Sequence, residues 1–308
     1  MTNLAGMALV DCADSSIQEH LTRLRQGSLI WNQWRLQHPT LKPCLAGADL
    51  RQVNLRDANL SDIDFQGADL SGAVLVGCHL IGSNLKQAKL ARTDLRRAIL
   101  SDANLNEADL RGADLRDARS INASLQDACL HRANLCHADF VAANLTGANL
   151  SEANLSEASF SAATLSRADL KQADLKRTNL NGTSFDDADL QAADLRRADV
   201  RMASLKQANL QNAICGRADF SSADLRMADL SDSDFKSANL CGTNLSRAIF
   251  ERADFRRANL CAADLTETNF KTAKVSGANV MDTNLEGTNL QVAIATASTP
   301  SLPLSVSA

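Results

Sequence analysis

A strict period of five between Leu45 and Leu290 leaves this chain few ways to fold. Fifty positions follow one another at that spacing without insertion or deletion, and nearly all are Leu or Phe. Two places before each sits a small residue, usually Ala (Ala48, Ala58, Ala68, Ala103, Ala148, Ala253). One place before sits Asp or Asn (Asp49, Asn59, Asp69, Asn104, Asn149, Asp254), so the unit reads A-[D/N]-L-x-x. A helix would spread residues i and i+5 around its circumference, and a plain strand alternates every two residues, so neither matches. An internal repeat of this kind instead marks a repeat architecture, with the backbone turning once per unit.

Chemistry separates inside from outside. From Leu45 to Leu290 no Asp, Glu, Lys or Arg occupies the central position or the small position, which are therefore expected to point inward. Eleven of the twelve glycines in the run lie two places after a centre, where a corner can use their permissive backbone. All four prolines lie outside the run, as expected if its N–H groups are used in ladders. All nine Phe are central, and Phe140 with Phe160, Phe235 with Phe255, and Phe250 with Phe270 are each twenty residues, or four units, apart.

At this point the sequence resembles the pentapeptide-repeat family, over about four fifths of the chain. The resemblance implies an all-β solenoid, a right-handed quadrilateral β-helix with four units per coil, and the Phe spacing agrees with it. About twelve coils at a strand spacing of about 4.8 Å would make a stack roughly 60 Å long, growing by addition rather than splitting into globular domains. The expected organisation is an N-terminal helical cap over 1–42, the β-helix over 43–293 and a disordered tail over 294–308.

In the first segment Ser16 and Glu19 have capping-box spacing, predicting a short helix that ends near Gly27. A second segment, 28–38, carries Trp31 and Trp34 and stops at Pro39. These helices read either as a partner-binding pair or as a lid over the open end of the solenoid, and exposed strand edges favour the lid. The string WNQWRLQHP followed by KPCLAGADL resembles leader segments of cyanobacterial family members. The small, polar, proline-containing tail offers no lid, so the expectation at that end is a homodimer through the last coil.

With four sides, the outward residues sort into faces. One carries Arg96, Arg97, Lys176, Arg177, Arg196, Arg197, Arg256 and Arg257, a candidate basic face, but interleaved carboxylates such as Asp94, Asp114, Asp174 and Asp194 leave it only about four charges positive. Those carboxylates and the lack of outward aromatic residues argue against nucleic acid. The family resemblance also raises mimicry of DNA toward DNA gyrase or topoisomerase. That needs a strongly negative surface, whereas the net charge is −4 with 32 basic residues. A third face carries Ile81, Ile121 and Val141 in one outward column, broken by Ser101, with Ile99 alongside. Grouped apolar residues there read as a protein-binding patch, or as β-branched residues that suit a strand surface.

Reactive chemistry is not signalled. Cys129, His131, Cys136 and His137 match no zinc spacing, and Cys241 and Cys261, one coil apart, read as reduced thiols. Without a nucleophile elbow or phosphate-binding glycine loop, neither catalysis nor a cofactor is expected. Ser120 and Cys215 replace the central Leu beside Ile121 and Ile214, which points to a local bulge or to a plain change of side chain. The N-terminus lacks the basic and apolar regions of a signal peptide, so the expectation is a cytoplasmic, non-enzymatic scaffold that binds another protein and does not enter a membrane. A far-ultraviolet circular dichroism spectrum dominated by strand checks the fold; one dominated by helix contradicts it.

Overall fold

In the computed structural model, residues 14–289 are described. Helix α1 spans Asp14–Arg25 and α2 spans Ser28–Gln37, with Gly27 between them at φ +104°. The helix begins two residues before Ser16, and Glu19 reaches along it to Arg23 at 2.6 Å. The chain divides into two compact units, Met1–Asn149 and Leu150–Ala308, and each is built from the same coil.

Within each unit, residues twenty apart pair in parallel. Examples are Asp49 with Asp69 and Asn84 with Asn104 in the first unit, and Asp174 with Asp194 and Asn239 with Asn259 in the second. Twenty residues are four repeats, so each coil has four sides and each rung is a single residue wide. Leu70 N–H donates to Lys89 O at 2.7 Å, and Lys89 N–H returns to Ala68 O at 2.9 Å. Between rungs the chain turns: the carbonyl of each central residue accepts from the N–H three places on, as Leu85 O does from Ala88 at 3.0 Å.

The third residue of that turn has positive φ, +63° at Gly112 and +56° at Arg177, as in a type II turn. This is the corner that the glycine spacing indicates. Many corners nevertheless carry Arg, Asp or Gln, whose left-handed backbone costs roughly 1–2 kcal/mol each. The ladder therefore outweighs local preference at those positions.

Central side chains fill the interior. Leu105, Leu195 and Phe235 are buried, Phe235 stacks on Phe255 with centroids 5.4 Å apart, and Phe250 meets Phe270 at 4.8 Å. Where Thr replaces the small inward Ala, its hydroxyl finds a carbonyl: Thr93 donates to Leu70 O and Thr178 to Leu155 O, both at 2.9 Å. Such pairing makes a buried hydroxyl tolerable.

No bulge forms at Ser120 or Cys215, against the first of the two sequence readings. Ser120 N–H donates to Asp139 O at 2.6 Å and Cys215 N–H to Asp234 O at 2.7 Å, so the register runs through both. Each side chain simply takes the buried place of a Leu. The rung hydrogen bonds on both sides hold the spacing, so Ile121 and Ile214 cannot slip inward to replace the missing leucines. The Ser120 hydroxyl is buried with no hydrogen-bond partner, and burial pushes the Cys215 thiol well up from its ordinary range.

Helix α2 lies against the first coil through specific bonds. In later coils the groups equivalent to Asn59 N–H, Asn59 O and Ser61 O all bond to the coil before, as His79 N–H does to Ala58 O. At the start there is no such coil. Asn59 N–H instead donates to Asn32 Oδ1 at 2.8 Å, Trp31 Nε1 donates to Asn59 O at 2.7 Å, and Arg35 Nη2 donates to Ser61 O at 3.0 Å. Trp31 is buried. Trp34 packs 4.9 Å from it by ring centroid, stacks on His38 and lies under the Arg23 guanidinium.

Replacing Leu195 with Ala should lower stability by about 2–5 kcal/mol, because it leaves a cavity in a closed stack. Ser120→Leu should do the reverse by about 1–3 kcal/mol, since it removes an unpaired hydroxyl and adds apolar burial. Denaturant midpoints check both, and a Ser120→Leu midpoint no higher than the parent's would show that neighbouring side chains already fill the site.

Candidate interaction surfaces

The outer wall begins with the Asp or Asn that precedes most centres. Its Oδ1 accepts the N–H two places on: Ser71 donates to Asp69 at 3.1 Å, Lys176 to Asp174 at 3.1 Å and Thr146 to Asn144 at 3.1 Å. This is the reach of an Asx turn, so the residue is a corner brace as well as a surface group. Sequence reasoning placed it outside and missed that role. The available signal was that Asp or Asn fills most of these positions while Glu and Gln, one carbon too long for the brace, never do, although Val74, Lys89, Ile99 and Arg119 show that the brace is not required at every corner.

Where Arg follows the centre, it closes on the same carboxylate side-on. Arg96 reaches Asp94 through Nε at 2.8 Å and Nη2 at 2.7 Å, and Arg116, Arg196 and Arg256 repeat the clamp on Asp114, Asp194 and Asp254. Within each unit the residues of the expected basic face thus fall into two sets, those next to a centre and those at a corner. Next to the centres Arg96, Arg196 and Arg256 are engaged, and Lys176 bridges Asp174 at 2.7 Å and Asp194 at 3.3 Å. At the corners Arg177 pairs with Glu157 at 3.1 Å, whereas Arg97, Arg197 and Arg257 have no ion pair among the described residues.

The apolar column lies in the first unit. Ile81 is 41% exposed, and Ile121 and Val141 are half-buried in the same column. Ile99 is also half-buried, held in the ladder between His79 and Arg119. Ser101 interrupts the column between Ile81 and Ile121. Met202, Met227 and Met281 are exposed as well, and sequence reasoning did not single them out.

One thiol expectation is corrected. Cys241 and Cys261, stacked one coil apart, are joined as a disulfide with Cα atoms 4.7 Å apart, a separation that such a bond spans. Cys78 is buried, its Sγ donates to Leu55 O, and burial pushes its thiol up to about 12. Among the described residues no three His, Cys, Asp or Glu converge to hold a metal, Cys129, His131, Cys136 and His137 included. No described helix is long and apolar enough to cross a membrane.

Asp254 is the most covered of the braced carboxylates, 7% exposed between Lys236 and Arg256. Burial pushes its carboxyl up, but the Arg256 side chain and backbone N–H and the Lys236 charge outweigh that and hold it at about 2. A folded-state value below the unfolded one stabilises the fold above roughly pH 4, and that contribution is lost as pH falls toward 2. Asp254→Asn should cost about 2 kcal/mol near neutrality, with the gap from the parent roughly halved by pH 3. Denaturation at several pH values checks this, and a gap constant from pH 6 to pH 3 would contradict it.

The sequence profile of pentapeptide repeats matches overlapping segments that together run from residue 44 to residue 291. Among solved structures the chain is similar to HetL, a pentapeptide repeat protein involved in heterocyst differentiation regulation from the cyanobacterium Nostoc sp. strain PCC 7120. The two are 31% identical over 70% of this chain and 88% of that one, with a TM-score of 0.56. It is also similar to QnrB1, a plasmid-mediated fluoroquinolone resistance protein, at 16% identity over 71% of this chain and 93% of that one, with a TM-score of 0.39. A third likeness is to Rfr23, a pentapeptide repeat protein from the cyanobacterium Cyanothece 51142, at 27% identity over 33% of this chain and 63% of that one, with a TM-score of 0.21. No curated protein matches. With four-repeat coils paired at twenty-residue spacing and the family profile matched over most of its length, the chain belongs to the pentapeptide-repeat proteins.

Proposed function

We propose that this protein is a non-enzymatic, regulatory interaction scaffold that presents a β-helix face to a protein partner. The observation that carries this reading is the column of Ile81, Ile121 and Val141 with Ile99 beside it, an apolar grouping on a wall that elsewhere carries many braced carboxylates and ion pairs as well as single exposed apolar residues such as Met202. Partly exposed β-branched residues grouped in this way gain by being covered. The likeness to HetL, a protein involved in regulating differentiation, supports a regulatory role. Absence of catalysis and of any cofactor is part of the proposal, supported by outward carboxylates that are committed to turns.

Mimicry of DNA toward gyrase fits less well. Carboxylates outside the basic face, which would have to supply a negative stripe, are also paired in place with Arg, as at Asp109, Asp199 and Asp224. Inhibition of gyrase supercoiling by the purified protein would reverse this preference. Nucleic acid remains disfavoured as a partner for want of outward aromatic residues.

The same proposal includes a right-handed coil of about twelve turns over residues 43–293 and a lid formed by residues 1–42. The lid is supported by the way Trp31, Asn32 and Arg35 stand in for a missing coil. The tail over 294–308 lies outside the described residues, and a homodimer through the C-terminal end is proposed there, checked by solution mass at micromolar concentration. A cytoplasmic location is proposed as well. Persistence of the Cys241–Cys261 bond in protein isolated from cells under thiol-blocking conditions would instead favour an oxidising compartment.

Ile81→Lys with Val141→Lys should abolish capture of the native partner in a pull-down while leaving the melting temperature within about 2 °C, because surface substitutions seldom exceed about 0.5 kcal/mol. Undiminished capture removes the apolar strip as the contact.

A further inference from the structure

Gly216 stands out because the backbone does not require it. The other described repeat glycines sit at corners with positive φ, but Gly216 follows a centre and does not. A Cβ built there would meet only Lys236 O, at an ordinary 3.8 Å. On the two coils to either side its column carries long cations, Lys176 and Arg196 before it and Lys236 and Arg256 after it, with Ser156 and Ser276 beyond them. Their absence at Gly216 opens a depression of about 810 Å³, within the size range of small-ligand sites.

The depression is lined by Lys176, Arg177, Arg196, Arg197, Arg217 and Lys236, against Glu157 and Asp174, giving a net of +4. Asp194 and Asp234, which pair with the lining's Arg196 and Lys236, bring that balance to +2, a local excess in a chain that carries −4 overall. Lys176, Arg177, Arg196 and Lys236 are already held by carboxylates. Arg197 and Arg217 are not: neither side chain has an ion pair or hydrogen bond among the described residues. They occupy the corner column on adjacent coils, beside the gap.

We propose that the Gly216 depression is a binding site for a small oligophosphate, with the forked guanidiniums of Arg197 and Arg217 taking adjacent phosphate groups. A guanidinium presents paired donors that match phosphate oxygens, and the engaged cations around it add a field without being consumed. The geometry disfavours other anions. An extended acidic peptide repeats its same-face carboxylates about 6.6 Å apart, out of step with coils about 4.8 Å apart. Single-stranded nucleic acid needs aromatic platforms for its bases, and the nearby Phe220 and Phe235 are buried.

Titration calorimetry of the full chain with sodium pyrophosphate at low ionic strength tests the site. Binding is expected for the parent, weakening as salt rises. Gly216→Arg, which restores the side chain typical of the column, and the pair Arg197→Ala with Arg217→Ala should each weaken binding by at least about tenfold with unchanged melting temperatures. The proposal is overturned if the parent gives no binding, if Gly216→Arg binds as the parent does, or if an oligoglutamate peptide or a single-stranded oligonucleotide binds more tightly than pyrophosphate.

Discussion

The paired backbone hydrogen bonds between residues twenty apart impose a condition that every other feature must meet. Asp69 N–H reaches Ala48 O at 2.9 Å while Leu50 N–H reaches Asp69 O at 2.8 Å, and the same exchange recurs through each unit. One inserted residue would displace all later centres from the interior, as a strand slip turns a buried face outward. This is why fifty centres keep their spacing, and why Ser120 and Cys215 are absorbed as poor core residues rather than as bulges. Losing a Leu costs one site, whereas losing register costs the stack.

The corners show the same order of influence. A left-handed corner prefers glycine, yet Arg97, Asp117 and Arg177 adopt φ of +58°, +60° and +56°. Closing the turn supplies a carbonyl-to-N–H bond inside, and the Asp or Asn before the centre supplies a second bond outside. Together with the rungs these bonds over-determine the corner, which is how a residue can be held in a sparsely populated conformation. Asp254 shows how brace and ion pair combine, one carboxylate serving a backbone N–H, an arginine and a lysine.

The inward half of this molecule was legible in its sequence because burial tolerates few residue types. Spacing and the exclusion of charge identified the interior, and Phe spacing agreed with the four-sided coil, seen in the stacking of Phe235 on Phe255. The outward half was less legible because its composition is read without partners. A row of Arg and Asp looks like a mildly basic face, but only the structure shows Arg196 clamped on Asp194 while Arg197, its neighbour in sequence, is uncommitted. The disulfide between Cys241 and Cys261 escaped for a related reason: a shared column shows proximity, whereas bonding depends on how the two side chains meet.

The same division explains where function can reside. Positions that carry the ladder, the corner and the core are each committed to the coil, and a change there acts on stability before it acts on anything else. The two places after each centre carry no such duty beyond the corner's backbone conformation, so their side chains are free to vary. Ile81 and Gly216 belong to this free set, and each is a local departure from its surroundings: an apolar residue on a wall of charge, and a missing side chain in a row of cations. In a repeat protein such departures are informative because the surrounding units show what the fold alone would accept. A column that accepts Arg at 196 and 256 and Ser at 156 and 276 would accept either at 216 on steric grounds, so the backbone beneath Gly216 does not account for the gap, and the proposed anion site gives it a reason.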